Sequence, residues 1–389
     1  MVLIIILFAM AQRKLIAIFC AAVIFGFIVT YNFYLEEMGN VTTQLHQAWS
    51  TFTSKDEKLS DKNAKCETYV RPSWQGCPKV NQTLVTTHVD GRLGNLVFEY
   101  LGTWAVAQRF GLFPLMPNKT IVSLSEVFED LSIPSFEEVF SRCPELGDLN
   151  TTRHTDIYAS SRSNFRRALE NARGTSRLVS MLVYAVVTEH LAPSWHLLPA
   201  EMRVRADLRD QAQHIIGGIA NTTRSRDPKN KQKINFVGVH IRRTDYAYHM
   251  SVVHPNAELA NASYYQHAMQ WMRNKLSPQL VAFLVLSDDV EWCHENLNAS
   301  DVFLPGNTSS PGLDMAILAS CNHTILAYGT FALTAAMLAQ GGYTIVFNTR
   351  NSTYTKVMEF ASILPGWHII DNDGKEAPED SRYPLTFVG

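Results

Sequence analysis

The pattern of apolar and polar positions divides the chain into three stretches. Leu15 to Tyr31, LIAIFCAAVIFGFIVTY, is a seventeen-residue run without a charge, and Asn32 to Leu35 can extend it. That length is at the short end of what spans a bilayer. Arg13 and Lys14 precede the run and Glu36 and Glu37 follow it, so the basic side is expected to stay cytosolic and the remainder to be translocated. No clean small-x-small cleavage site follows the run, which favours an uncleaved anchor over a signal peptide. The expected order is a cytosolic tail at 1–14, a transmembrane signal anchor at 15–35 and a stem at 36–80. The stem is polar and mixed in charge, without sustained periodicity.

From about residue 82, strand and helix patterns alternate. Thr83 to Val89 reads as a strand. Leu96 to Phe110 reads as a helix stopped by Gly111. Ile234 to Ile241 and Leu280 to Leu286 read as buried strands. Asp288-x-x-Glu291 reads as a capping box opening a helix from Val290 to Leu297. Asp314 to Ser320 is expected to be helical, Thr324 to Ala327 a strand, Phe331 to Gln340 a helix and Tyr343 to Asn348 a strand. This alternation predicts an α/β fold with parallel sheet. Asn221 to Lys233, NTTRSRDPKNKQK, is the most polar stretch here and reads as the join between two α/β halves, 81–230 and 231–389.

Composition narrows the class. The chain has 389 residues, 46% hydrophobic, and balances 34 Lys+Arg against 36 Asp+Glu, a formal charge of −2. Disorder is excluded by the apolar content, and no basic field exists to hold nucleic acid. Ten Asn-x-Ser/Thr sequons begin at Asn40, Asn81, Asn118, Asn150, Asn221, Asn261, Asn298, Asn307, Asn322 and Asn351. Chance gives about three, and only a secretory protein has use for acceptors. Asn322 lies where a strand is expected to begin, an unfavourable place for a glycan. With Cys20 in the span, Cys66, Cys77, Cys143, Cys293 and Cys321 remain, an odd number. Cys66 with Cys77 closes the shortest loop. No Cys-x-x-Cys pair points to zinc.

Two segments carry candidate chemistry. Asp90-Gly-Arg-Leu-Gly-Asn95 joins a strand to a helix. Its glycines allow close backbone approach, and the helix N-terminus offers free N–H groups to a diphosphate. An ordinary βα turn reads the same way. His240-Ile-Arg-Arg-Thr-Asp-Tyr246 directly follows a strand, where open α/β sheets bind ligands. Its two arginines suit a dense anion. An Arg–Asp network centred on Asp245 is the structural alternative.

Together with Ser287-Asp-Asp-Val-Glu-Trp292 and Cys321-Asn-His-Thr-Ile325…Gly329-Thr-Phe331, these segments occur in an order that resembles the galactoside α-1,2-fucosyltransferases, glycosyltransferase family eleven. The resemblance covers roughly residues 83–347. The His-x-Arg-Arg element is shared with core α-1,6- and protein O-fucosyltransferases. The resemblance implies a GT-B-like architecture of two Rossmann-like halves, with the acceptor on the side of the first and GDP-fucose on the second. It implies inverting transfer to a galactose-terminated glycan and no required metal or other cofactor. Arg242 and Arg243 would clamp the β-phosphate, His240 would sit beside the nucleotide, and Asp314 would accept from guanine unless it is a helix N-cap. Thr330 and Phe331 would meet the phosphates, and Gly91, Arg92, Gly94 and Asn95 would approach from the first half.

The pattern departs from the family at Leu96, where glutamine is usual, and at Ala332-Leu-Thr334, where aromatic residues including tryptophan are usual. Both departures bear on the acceptor. Asp245 is the nearest candidate base, with pairing to Arg242 or Arg243 as its alternative; His249 and His254 are further candidates. The anchor and stem imply a single-pass type II Golgi membrane protein with a luminal catalytic domain, and leave homodimerisation open. The competing readings are a transferase of the same superfamily with another acceptor and a non-catalytic glycan-binding membrane protein.

Overall fold

Short runs of β-branched and aliphatic residues, separated by helices, build two parallel sheets. The computed structural model describes residues 74–79, 81–88, 91–146, 153–158, 162–182, 188–226, 231–305, 310–339, 341–350 and 355–378. The expected anchor, most of the expected stem, Cys66, and the sequons at Asn40, Asn150, Asn307 and Asn351 lie outside them. Among the described residues no helix is long and apolar enough to cross a membrane.

The first sheet joins β1 (Leu84–Thr87), β2 (Phe113–Pro114), β4 (His154–Tyr158) and β5 (Leu178–Leu182) in the order β2-β1-β5-β4, all parallel. Helix α1 (Leu93–Phe110) follows β1, and α2 (Asn118–Ser125), α3 (Phe136–Arg142) and α4 (Arg162–Thr175) complete the connections. Gly111 ends α1 with φ 64°, a left-handed geometry that glycine adopts without a Cβ penalty. A two-stranded antiparallel piece pairs β3 (Phe128–Glu129) with β6 (Arg203–Val204).

The second sheet has six parallel strands: β7 (Ile234–Ile241), β8 (Leu280–Ser287), β9 (Val302–Phe303), β10 (His323–Leu326), β11 (Thr344–Phe347) and β12 (Trp367–Ile370). Their order is β12-β11-β10-β7-β8-β9. Three strands wind outward from β7 to one edge and three from β10 to the other, the doubly wound order that leaves a crevice between β7 and β10. Side chains alternate between two cores. Ala282, Leu284 and Leu286 face a core shared with Val97, Leu101 and Trp104 of α1. Phe283 and Val285 face the opposite core with Tyr264, Tyr265 and Met269.

Helix α5 (Ala206–Arg226) leads into β7. The polar stretch expected as a join is therefore helical through Arg226, because its residues continue the exposed face of a helix whose Ala212, Ile216 and Ile219 are buried. The remaining helices are α6 (Tyr246–Val253), α7 (Ala262–Leu276), α8 (Val290–Asn296), α9 (Pro311–Ala319), α10 (Thr330–Leu338) and α11 (Lys356–Ala361).

Cys77 pairs with Cys143, not with Cys66. Segment 74–79 is held beside α3, where Arg142 donates to the carbonyls of Trp74 at 3.5 Å and Gly76 at 3.3 Å. Trp74 packs against the cores on both faces of the first sheet. Loop-closure entropy grows only logarithmically, so this longer loop costs ~1.6 kcal/mol more than the shortest one, and packing offsets that. The end of the expected stem is thus docked on the domain. Cys293 and Cys321 are buried free thiols, the latter pushed up to about 12 by burial.

Candidate active site

Three loops meet at the carboxyl edge of the sheets. The first follows β7. His240 lies opposite Leu326 in the β7–β10 pairing, and Ile241 opposite Ser287 in β7–β8. The loop Arg242 to Asp245 therefore leaves the sheet at the crevice. Arg242 makes a bidentate pair with Asp245, Nε to Oδ1 at 2.9 Å and Nη2 to Oδ2 at 2.6 Å. This pairing is the structural alternative weighed for Asp245. Asp245 also meets Nη1 of Arg92, from the first half, at 3.3 Å. Arg242, above all, holds the Asp245 carboxyl below its ordinary range.

Arg243 is held differently. Its Nε donates to Oδ2 of Asp289 at 3.1 Å, and its guanidinium carbon lies 4.0 Å from the ring centroid of Trp292, a cation–π contact. Neither Nη atom has a partner among the described residues. The Arg243 N–H donates to Oδ1 of Asp288 at 2.9 Å. Thr244 donates to Oδ2 of Asp288 from its N–H at 3.3 Å and from its hydroxyl at 2.6 Å.

Asp288 is therefore not the cap of α8. That role falls to Asp289, whose Oδ1 accepts from the Trp292 N–H at 3.2 Å. The capping-box reading placed the cap one residue early, because either aspartate could open the helix and only the neighbouring strand end distinguishes them.

The second loop follows β10. Gly329, with φ 93°, turns the chain into α10, whose first residues are Thr330 and Phe331. Phe331 lies 5.3 Å, centroid to centroid, from His240. Tyr328 and Tyr246 stack at 4.6 Å behind the arginine loop. His240 is pushed down to about 4, chiefly by burial and then by the Arg242 charge. It is a neutral imidazole at physiological pH, able to donate from one ring nitrogen and accept at the other.

The third loop is Gly91 to Asn95 at the start of α1. Asn95 Oδ1 accepts from the Thr330 hydroxyl at 2.6 Å. A Cβ on Gly94 would lie 2.4 Å from the Phe331 nitrogen. The N-terminal turns of α1 and α10 thus abut, backbone against backbone, and both helix dipoles present their positive ends to the crevice.

Asp314 sits in the first turn of α9, with Ser310 as the N-cap. It is not the cap, which removes the alternative drawn from sequence. Helix α9 runs back into β10, so its N-terminus opens on the carboxyl edge that carries the other loops. His249 lies beside Tyr246, with ring centroids 4.9 Å apart, and burial lowers His254.

Leu96 (7% exposed), Ala332 (2%) and Thr334 (1%) are buried. The departures from the usual family residues therefore fall at buried positions of α1 and α10. Sequence reasoning missed the roles of Asp288, Asp289, Trp292 and Tyr328; the segment Ser287 to Trp292 was singled out only as a pattern. Among the described residues, the one three-donor group with metal-like spacing is Cys77, Cys143 and Glu145, whose two sulfurs are bonded to each other.

Residues 182–371 match the model of the family described as glycosyl transferase family 11. Over 336 residues the chain is 30% identical to galactoside alpha-(1,2)-fucosyltransferase 2 of Bos taurus, covering 83% of this chain and 88% of that relative. It is 30% identical over 310 residues to galactoside alpha-(1,2)-fucosyltransferase 1 of Oryctolagus cuniculus, covering 77% of each. Among solved structures, POFUT1 in complex with GDP-fucose aligns with a TM-score of 0.45 and 12% identity, covering 67% of this chain and 95% of that one. That likeness is too loose to argue from.

Proposed function

The chain belongs to glycosyl transferase family 11, and on that premise we propose that it transfers L-fucose from GDP-fucose, with inversion, to the 2-hydroxyl of a galactose in glycoprotein or glycolipid glycans. The relatives matched over most of their length carry that activity in their names. The observation that carries the reading is the arginine loop Arg242 to Asp245, which leaves the sheet at the β7–β10 crevice and is tied to the starts of α1 and α10 by the Asp245–Arg92 and His240–Phe331 contacts.

The chemistry follows from charge. As the bond from fucose C1 to the β-phosphate oxygen breaks, negative charge gathers on GDP. Arg243 and the two helix N-termini stabilise it where it develops, in place of a metal ion. Neutral His240 supplies a hydrogen bond without adding charge. Arg242 supplies positive charge already balanced by Asp245. The acceptor hydroxyl attacks from the face opposite GDP, forming the bond to fucose C1 as the bond to the β-phosphate oxygen breaks, and its proton passes to solvent water. Asp245 is a poor receiver for that proton: Arg242 lowers its basicity and occupies both of its oxygens. We assign it to fixing Arg242. The carboxylate of Asp314 is suited to accept from guanine N1–H and the 2-amino group.

The uncharged run at 15–35, its flanking charges and the ten sequons support a single-pass type II protein of the Golgi membrane with this domain in the lumen. The test is an assay of the purified full-length chain in detergent with labelled GDP-fucose and lactose. The product should resist an α-1,3/4-fucosidase and yield to an α-1,2-specific enzyme. GDP-fucose binding without transfer to any β-galactoside would retain the donor and overturn the acceptor.

A further inference from the structure

We propose that Asp288 is a positioning residue for catalysis: it holds the arginine loop by its main chain and thereby aims the Arg243 fork at the diphosphate. The inference rests on the function proposed above and concerns a residue that the sequence pattern offered only as a helix cap. Three donors converge on one carboxylate: the N–H groups of Arg243 and Thr244 and the Thr244 hydroxyl. Successive N–H groups turned to one side form a concave anion site. In this chain a built-in carboxylate fills it. Because Ile241 and Ser287 are paired neighbours in the sheet, Asp288 leaves β8 directly beside the loop that leaves β7.

The arrangement divides the work between two adjacent carboxylates. Asp288 binds the loop's backbone and leaves the Arg243 side chain untouched. Asp289 binds Nε of Arg243 while capping α8, and Trp292 of α8 supports the guanidinium from below. The Arg243 side chain is thus fixed at its root by Asp288 and along its length by Asp289 and Trp292, which leaves the two Nη atoms without a partner among the described residues. An arginine has several rotatable bonds, and restraining them before the donor arrives removes an entropic cost from binding and from the transition state. Asp288 itself has no need to touch the substrate.

The test is a double-mutant cycle on the full-length chain, read as both GDP affinity and kcat/KM for fucose transfer. Asp288→Asn is nearly isosteric and presents one acceptor oxygen where three donors need two. It is expected to lower kcat/KM by roughly tenfold or more, with a thermal midpoint close to that of the wild type. In an Arg243→Lys background, where no fork remains to be aimed, the same change should cost no more than about twofold. Asp288→Glu should rescue less well than the native residue, since the longer carboxylate displaces the loop. A cost that is equal in both backgrounds would make Asp288 a structural residue and overturn the proposal, as would no cost in either. If the wild-type chain binds GDP but transfers no fucose, the functional reading fails and the cycle is still read in GDP affinity. Coupling between Asp288 and Arg243 in that affinity would uphold the positioning role, and its absence would refute it.

Discussion

The hydroxyl of Thr330 donates to the carboxamide oxygen of Asn95 at 2.6 Å, joining two helix N-termini that lie 235 residues apart in the chain. Beside it, Gly94 lets the α1 backbone touch that of α10 at Phe331. The N-terminal turns of α1 and α10 are thereby registered to one another.

A side chain at position 94 should break that registration. In Gly94→Ala the new methyl would meet main-chain atoms on both sides of the Thr330–Phe331 peptide, which cannot swing aside as a flexible side chain would. We expect a loss of ~1–3 kcal/mol of stability, seen as a lowered thermal midpoint, together with weaker GDP binding. Gly217→Ala is the control: nothing lies within 4 Å of its Cβ position in α5. That change should be neutral or stabilise by up to ~1 kcal/mol.

Arg243 and Arg242 should respond differently to substitution. Arg243→Ala removes the guanidinium proposed to meet the diphosphate and should lower kcat by about 10²–10³-fold in a folded protein. Arg243→Lys should recover little, since a point charge lacks the fork and the hold of Asp289 on Nε. Among the described residues, Arg242→Ala leaves Asp245 the exposed Arg92 as its side-chain partner. Its main effect should therefore be on donor KM, through an uncompensated carboxylate beside the diphosphate. Steady-state kinetics with varied GDP-fucose checks both.

His240 should shape the acid limb of stability. Its folded pKa of about 4 lies below the ordinary 6.5. Between those values the unfolded chain binds the proton and the folded chain does not, so stability falls as the pH drops. The contribution is fully present above pH 6.5 and lost as pH falls through about 4. His323 is pushed down to about 4 by burial and shares the window. Thermal midpoints measured from pH 7 to 4 should show a shallower decline in His240→Phe, by up to about one proton. An unchanged slope would place the titration elsewhere.

Glycans should follow the accessibility of the sequons. Asn221 and Asn298 are exposed. Asn322 is half-buried, its Oδ1 accepts from the Phe236 N–H at 3.0 Å, and its sequon threonine, Thr324, is buried against Thr344. Glycopeptide mass spectrometry of the secreted-pathway product should find sugar at Asn221 and Asn298 and none at Asn322. Occupancy at Asn322 would be incompatible with the β7–β10 edge described above.

Features set within a few residues were legible from the chain alone. The strand Ile234 to Ile241 reads from a short run dominated by aliphatic and β-branched residues, and the end of α1 from a glycine where left-handed backbone is required. The αβ alternation, and with it the class of fold, follows from the same local periodicities. The position of the arginine pair directly after a strand was legible because the strand's apolar run ends at Ile241. The site's internal wiring was not legible. Asp288 and Asp289 look alike to any local rule, and which one caps α8 depends on β8 lying beside β7. Cys77 finds Cys143 only because Trp74 and Arg142 bring segment 74–79 to α3. The departing positions Leu96 and Thr334 pointed to the acceptor when read in line, and are buried in α1 and α10. The sequence by itself determined the elements and the chemical character of their ends, since propensity, capping and side-chain type act over one or two turns. The tertiary structure alone decided which ends meet, because strand order and helix packing are non-local and the contacts join segments from 45 to 235 residues apart.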